Sequence, residues 1–149
     1  MRTRGLILSV VVTTFLTGTP ALAALRVHRI YFDPPGRDTR SHSDLYDEFI
    51  VIRNTGRTPR ELRGWRIHDR RRRNVYRFET LKLGPGNEVR IHAGTGPDTV
   101  ASDGDYDLYW GVDHYVWGND GDRATLRTPE GRTADRCRYG PGASSPAPC

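Results

Sequence analysis

Four consecutive arginines, Arg70-Arg71-Arg72-Arg73, stand between Asp69 and Asn74. A guanidinium stays ionised at physiological pH and presents a planar fork of donors matched to phosphate and carboxylate oxygens. With Arg66 and Arg77 nearby, the run is a candidate contact for an anionic polymer or an acidic protein, and these six arginines are the polyanion-binding candidates. Nucleic acid fits poorly as a specific target, because the run lacks interleaved aromatic side chains on which bases stack. The bland alternative is a solvated turn in an arginine-biased composition: 22 of the 23 basic residues are Arg, the exception being Lys82.

Alternating carboxylates form the second constellation, Asp103-Gly104-Asp105-Tyr106-Asp107. Such spacing suits a hard cation, yet the EF-hand pattern fails, since Leu108 stands where Gly is required and His114 where the bidentate Glu belongs. Asp103, Asp105 and Asp107 remain weak candidates for a different calcium loop, against the alternative of an exposed acidic turn. Tyr106, Tyr109 and Tyr115, with Trp110 and Trp117, overlap this acidic region. Aromatic faces beside carboxylates are a sugar-binding chemistry.

Catalytic templates do not fit. The chain has no His-Glu-x-x-His, no Gly-x-Ser-x-Gly, no Cys-x-x-Cys and no Gly-x-x-x-x-Gly-Lys. His42-Ser43-Asp44 and His68-Asp69 place acid and base types together, but neighbours on a strand point to opposite faces. His28, His92 and His114 are isolated and read as surface strand or loop residues. No catalytic residue, enzymatic activity or cofactor is expected.

Residues 1–23 read as a secretory signal peptide. Arg2 and Arg4 precede an apolar run from Leu6 to Leu16, and Ala21-Leu22-Ala23 supplies the cleavage pattern. The run is short for a membrane anchor. Cleavage takes two basic groups with it and leaves 126 residues at a net charge of +3, against +5 for the whole chain. That small number conceals a segregation. Residues 57–77 hold nine Arg against Glu61 and Asp69, whereas residues 91–122 hold seven Asp and no Lys or Arg. Export also gives Cys137 and Cys149 an oxidising context, in which a pair is more often a disulfide than two thiols. The alternative is a Cys149 that reaches a second chain.

Elements to position these residues follow from periodicity. Short β-branched and aromatic runs alternate with Gly, Pro, Asn and Asp, the signature of an all-β sandwich or barrel. Seven strands are predicted, over 26–32, 48–53, 65–68, 75–78, 88–92, 123–127 and 133–139, the number of an immunoglobulin-like β-sandwich. Trp65 and Ile67, Tyr76 and Phe78, and Val89 and Ile91 alternate with polar residues and should face the core. Asn54-Thr55-Gly56, Leu83-Gly84-Pro85-Gly86 and Pro129-Glu130-Gly131 read as turns. The segments 33–47 and 93–122 read as long loops, and 140–149 as a Pro/Gly/Ser-rich tail. The arginine run then falls on a hairpin tip between the third and fourth strands.

The ordered motifs Asp33-Pro34-Pro35-Gly36, Glu48-Phe49-Ile50-Val51-Ile52-Arg53-Asn54-Thr55-Gly56, Leu62-Arg63-Gly64-Trp65-Arg66-Ile67-His68-Asp69 and Val116-Trp117-Gly118-Asn119-Asp120-Gly121-Asp122 resemble the lamin tail domain family. Tyr76-Arg77-Phe78, Leu81-Lys82-Leu83-Gly84-Pro85-Gly86 and Trp110-Gly111 lie between them in that family's order, so the resemblance covers residues 24–139. It implies an immunoglobulin-like β-sandwich in which these motifs are structural and both tryptophans packed. It transfers no catalytic residue. Together these features lead to a secreted, extracellular, non-catalytic binding or tethering module with no membrane span after cleavage. The alternatives are a self-associating extracellular structural protein that pairs its opposed charged segments, and an accessory module to a nuclease or hydrolase.

Overall fold

Strict apolar alternation puts the core-facing side chains of each strand on one side, and two such sides meet. The structure, a computed structural model, describes residues 24–149; the segment 1–23 read as a signal peptide lies outside the described residues. In chain order the elements are β1 (Leu25–Tyr31), α1 (His42–Asp47), β2 (Phe49–Asn54), β3 (Arg60–Glu61), β4 (Arg66–His68), β5 (Val75–Arg77), β6 (Lys82–Leu83), β7 (Glu88–His92), β8 (Thr99–Val100), β9 (Tyr106–Tyr109), β10 (Asp122–Arg127), β11 (Thr133–Tyr139) and β12 (Ala147–Pro148). All seven predicted strands are present, as β1, β2, β4, β5, β7, β10 and β11. They lie in a six-stranded sheet ordered β12-β1-β2-β7-β9-β8 and a four-stranded sheet ordered β11-β10-β4-β5, with a small β3-β6 sheet beside them. Among the described residues no helix is long and apolar enough to cross a membrane.

Ile50, Ile52, Val89 and Ile91 from the larger sheet meet Ile67, Ala124 and Leu126 from the smaller, each completely buried. Phe78, Val89 and Ile91 are buried as their alternation requires, while Trp65 and Tyr76 pack at the core's margin. Phe32 stacks on Tyr139 across the sandwich at 4.2 Å between ring centroids.

Both predicted long loops carry regular structure. Segment 33–47 contains α1, whose Ser41 caps the helix and forms a capping box with Asp44. His42-Ser43-Asp44 is thereby a helix start. Six residues are too few to show a helical period. Segment 93–122 contains β8 and β9, and β9 runs parallel to β7 with Leu108 opposite Ile91 and Tyr109 opposite His92. Only Leu108 of β9 is fully buried, so the local pattern is too thin to read as a strand.

That crossing segment depends on one carboxyl group. Glu48, between α1 and β2, is completely buried, and its two oxygens accept the backbone N–H groups of Val116 (3.0 Å) and Trp117 (2.7 Å). Without an acceptor these buried donors would cost about 1–3 kcal/mol each. Trp117 is held in the core, its ring edge-on to Trp110 at 5.8 Å. Burial pushes the Glu48 carboxyl from its ordinary 4.5 up to about 8; the two backbone donors oppose this, and Asp38 and Asp122 add to it.

The tail does not trail. Cys137 of β11 is disulfide-bonded to Cys149, with Cα atoms 5.4 Å apart. β12 pairs with β1 through Ala147 opposite Ile30, and the Ser145 hydroxyl accepts the N–H groups of Phe32 and Asp33. The tail thus covers an edge of the larger sheet that would otherwise offer open ladder positions.

Two outcomes are expected. A folded state that keeps the Glu48 proton through a pH range in which the unfolded chain releases it loses stability as pH rises from about 4.5 through about 8. Chemical denaturation of the native protein should show this decline, and Glu48→Gln, which cannot titrate, should flatten it while lowering stability at pH 5 by about 1–3 kcal/mol, because one amide oxygen serves one donor. A decline of equal steepness in both proteins would contradict the assignment. Cys149→Ser should lower stability by up to about 3 kcal/mol, with the largest gain in amide exchange along β12 and the adjoining edge of β1.

Candidate functional site

The turn between β4 and β5 is built by Asp69. Its carboxylate, 6 % exposed, accepts the backbone N–H of Arg73 at 2.9 Å and of Asn74 at 3.4 Å, and the Asn74 amide at 3.4 Å. Its carbonyl accepts from Arg72 N–H, with Arg72 at φ 57°. The acid beside the arginine run is therefore occupied by the turn's own backbone. Arg70, Arg71, Arg72 and Arg73 are exposed, and among the described residues none of their guanidinium groups forms an ion pair.

Strand register extends the cationic surface beyond the tip. Arg66 lies opposite Arg77 on one side and Arg127 on the other. Arg123 lies opposite Arg138, and Arg136 opposite Thr125. Ile67, Ala124, Leu126 and Cys137, which alternate with them, are buried in the core. Directly opposed residues share a face, so Arg66, Arg77, Arg123, Arg127, Arg136 and Arg138 all stand on the outer face of the four-stranded sheet. No carboxylate shares that face within its four strands: Asp122 and Asp135 are in register with Tyr139 and Leu126, which point inward.

Two of the six predicted arginines, Arg66 and Arg77, therefore belong to this face, and the four of the run adjoin its end. Arg123, Arg127, Arg136 and Arg138 were not among the candidates. Their signal is the alternation in Arg123-Ala124-Thr125-Leu126-Arg127 and Arg136-Cys137-Arg138, but only the strand order β11-β10-β4-β5 joins it to the hairpin.

His68 lies beneath this layer. Predicted to face outward, it does so, yet it is only 5 % exposed. Its Nδ1 pairs with the Asp69 carbonyl at 2.7 Å and must carry the proton; its Nε2 accepts from Arg127 Nε at 3.1 Å. These partners make Nδ1 the donor and Nε2 the acceptor. Arg127 also donates to the Gly131 carbonyl and Arg66 to the Pro129 carbonyl, which orients both guanidinium groups without neutralising them.

An open groove of about 650 Å³ lies between the tip and the 113–122 segment, bordered by Arg70, Arg71 and Arg73 and by His114, Trp117 and Asn119. His114 Nε2 pairs with Asn74 Oδ1 at 2.9 Å, joining the two walls. Tyr139 donates its hydroxyl to the Gly118 carbonyl, and burial raises its phenol well above the ordinary range.

The remaining candidates separate. Asp105 accepts from Glu88 N–H and from the Asn87 amide, Asp103 accepts from Asp105 N–H, and Asp107 faces His92 and Arg90 from the outer side of β9. The three carboxylates thus turn to different partners, and among the described residues no three His, Cys, Asp or Glu side chains are grouped to hold a metal. Tyr106 and Tyr109, three apart on one strand, point to opposite faces, while the Tyr115 hydroxyl accepts from Arg40 N–H. No common aromatic platform results.

His92, read as a surface residue, is 2 % exposed. It forms a triangle with Tyr46, stacked at 4.4 Å, and Tyr109, stacked at 5.1 Å, because α1 folds over the end of β7. Its Nδ1 pairs with the Tyr46 carbonyl and its Nε2 with Asp107 at 3.0 Å.

Comparison with known proteins now joins this geometry. No curated protein matches the chain. A family model, that of the Lamin Tail Domain, matches residues 19–141. The match begins inside the segment read as a signal peptide, takes in every element from β1 to β11 and stops before β12. The motifs that carried the resemblance, the immunoglobulin-like sandwich and the length of the match agree, and the chain belongs to the Lamin Tail Domain family, a family of non-catalytic immunoglobulin-like domains.

Proposed function

We propose that this protein is a secreted, non-catalytic module that tethers an anionic extracellular or envelope polymer on the outer face of its four-stranded sheet. One observation carries the reading: six arginines from four strands share that face, no carboxylate of those strands faces the same way, and the four-arginine tip continues it at one end. Neighbouring strands lie about 4.8 Å apart and a strand rises about 3.3 Å per residue, so the charges form a two-dimensional field. Such a field suits a repeating polyanion better than a single small ligand, and its attraction is long-ranged and weakened by salt. The oxidised Cys137–Cys149 pair and the signal-like segment 1–23 support export.

Local bonding engages most carboxylates of the acidic segment. Asp98, Asp103, Asp105 and Asp107 take separate local partners, and Asp122 accepts from Arg70 N–H at the arginine tip itself. This favours an external polyanion over a second copy as the arginines' counterpart.

Salt-gradient elution from immobilised phosphorylated and carboxylated polysaccharides tests the reading. The native protein should be retained, and Arg71→Glu with Arg72→Glu should elute earlier. Each lost ionic contact should reduce the slope of log affinity against log salt by roughly one. Retention that the double reversal leaves unchanged removes the hairpin as a contact surface; a native protein that is not retained on either polymer removes the function.

A further inference from the structure

At one end of the arginine face lies a smaller cleft of about 300 Å³, which shares Arg70, Gly121 and Asp122 with the open groove. Arg70 enters it from the hairpin tip, Arg123 from β10 and Arg138 from β11, against walls formed by Gly121, Tyr139 and Gly140. Three arginines from three elements thus line one small space.

Like charges stand side by side at this cleft. Arg123 and Arg138 are directly opposite in the antiparallel register, where like charges destabilise a strand pair. Among the described residues neither forms an ion pair, and the buried Nε of Arg123 has no hydrogen-bond partner. Two carboxylates border the cleft, Asp120 and Asp122. Asp122 accepts backbone N–H groups with both oxygens, Oδ1 from Arg70 and Arg123 and Oδ2 from Gly118. Asp120 is exposed, and against two carboxylates the three arginines leave the cleft with an excess of positive charge.

Backbone geometry shapes the space. Gly121 has φ +118°, and a Cβ there would stand 3.0 Å from both Gly140 Cα and the Tyr139 carbonyl oxygen. A side chain at 121 would force the end of β11 away from the start of β10. The close approach keeps Arg123 and Arg138 on one wall.

We propose that Arg70, Arg123 and Arg138 form a seat for one phosphoryl group. A planar carboxylate is satisfied by one guanidinium fork, whereas a tetrahedral phosphoryl group can receive donors from three directions. The proposal rests on the polyanion reading and deepens it: the sheet face attracts the polymer, and this cleft grips one of its phosphates in place. It thereby makes the polymer a phosphorylated one.

Arginine Nε–Hε resonances of the intact, disulfide-bonded protein test the seat, with inorganic phosphate as the probe and acetate at equal ionic strength as the control. Phosphate should shift the Arg70, Arg123 and Arg138 signals saturably, leaving those of Arg77 and Arg136 nearly unmoved. Arg138→Gln should abolish the response and Arg136→Gln should not. Arg70→Gln, at the hairpin tip and outside both strands, serves as a second variant should Arg138→Gln disturb the sheet, and it too should abolish the response. Equal shifts with acetate, shifts spread evenly over the whole face, or no shift at all would overturn the seat. Each of these leaves the tethering reading standing if the native protein is still retained on the polymer columns, whereas absence of retention strikes that reading directly.

Discussion

A buried carboxyl group answering two buried backbone donors is the constraint on which the rest of this sandwich depends. The segment between β9 and β10 must pass from one sheet to the other while placing Trp117 in the core. That passage drags the N–H groups of Val116 and Trp117 out of water, and no strand is positioned to receive them. Glu48 receives both. With the segment pinned, the 113–122 wall stands opposite the arginine hairpin, Asp122 reaches Arg70 N–H, and Tyr139 can hold the Gly118 carbonyl. Burial of so polar a group has a cost, visible in the raised pKa of Glu48; the fold tolerates it because two otherwise orphaned donors would cost as much or more.

Charge is distributed by the same logic. Acidic side chains are drawn into structural service by the N–H groups of turns and strand ends: Asp69 organises the hairpin tip, Asp122 the start of β10, and Asp105 the start of β7. Arginine has no acceptor capacity and cannot serve in this way. Its long stem covers the outer face, and its head binds carbonyls or stays in solvent. A segment-level balance of acid and base therefore becomes, in three dimensions, a set of carboxylates bound to turn and strand-end N–H groups and a sheet face lined by arginines. The net charge of the chain describes neither.

A further closure comes from the tail. Residues of Gly, Pro and Ser composition form no core of their own, yet the Cys137–Cys149 bridge and the β12 pairing lay them along the edge of β1. The last strand of the small sheet is thus tied to the first strand of the large one. Two sheets that otherwise touch only through side chains acquire a covalent seam.

Several features were legible from order and periodicity alone. Alternation located all seven principal strands, the paired cysteines implied their bridge, and the Trp65, Trp110 and Trp117 motifs indicated packing positions in an immunoglobulin-like sandwich. The hairpin tip was equally plain, because Asp and Asn flanking a charged run between two strands describe a turn. These are properties of residues a few positions apart. Burial of Glu48, His68 and His92, the parallel pairing of β9 with β7, and the gathering of Arg123, Arg127, Arg136 and Arg138 beside Arg66 and Arg77 were not legible. Each depends on which strand lies beside which, and that order is set by contacts between residues far apart in the chain. Local pattern decided which side of each strand is cationic; only the tertiary structure decided that four such sides form one surface.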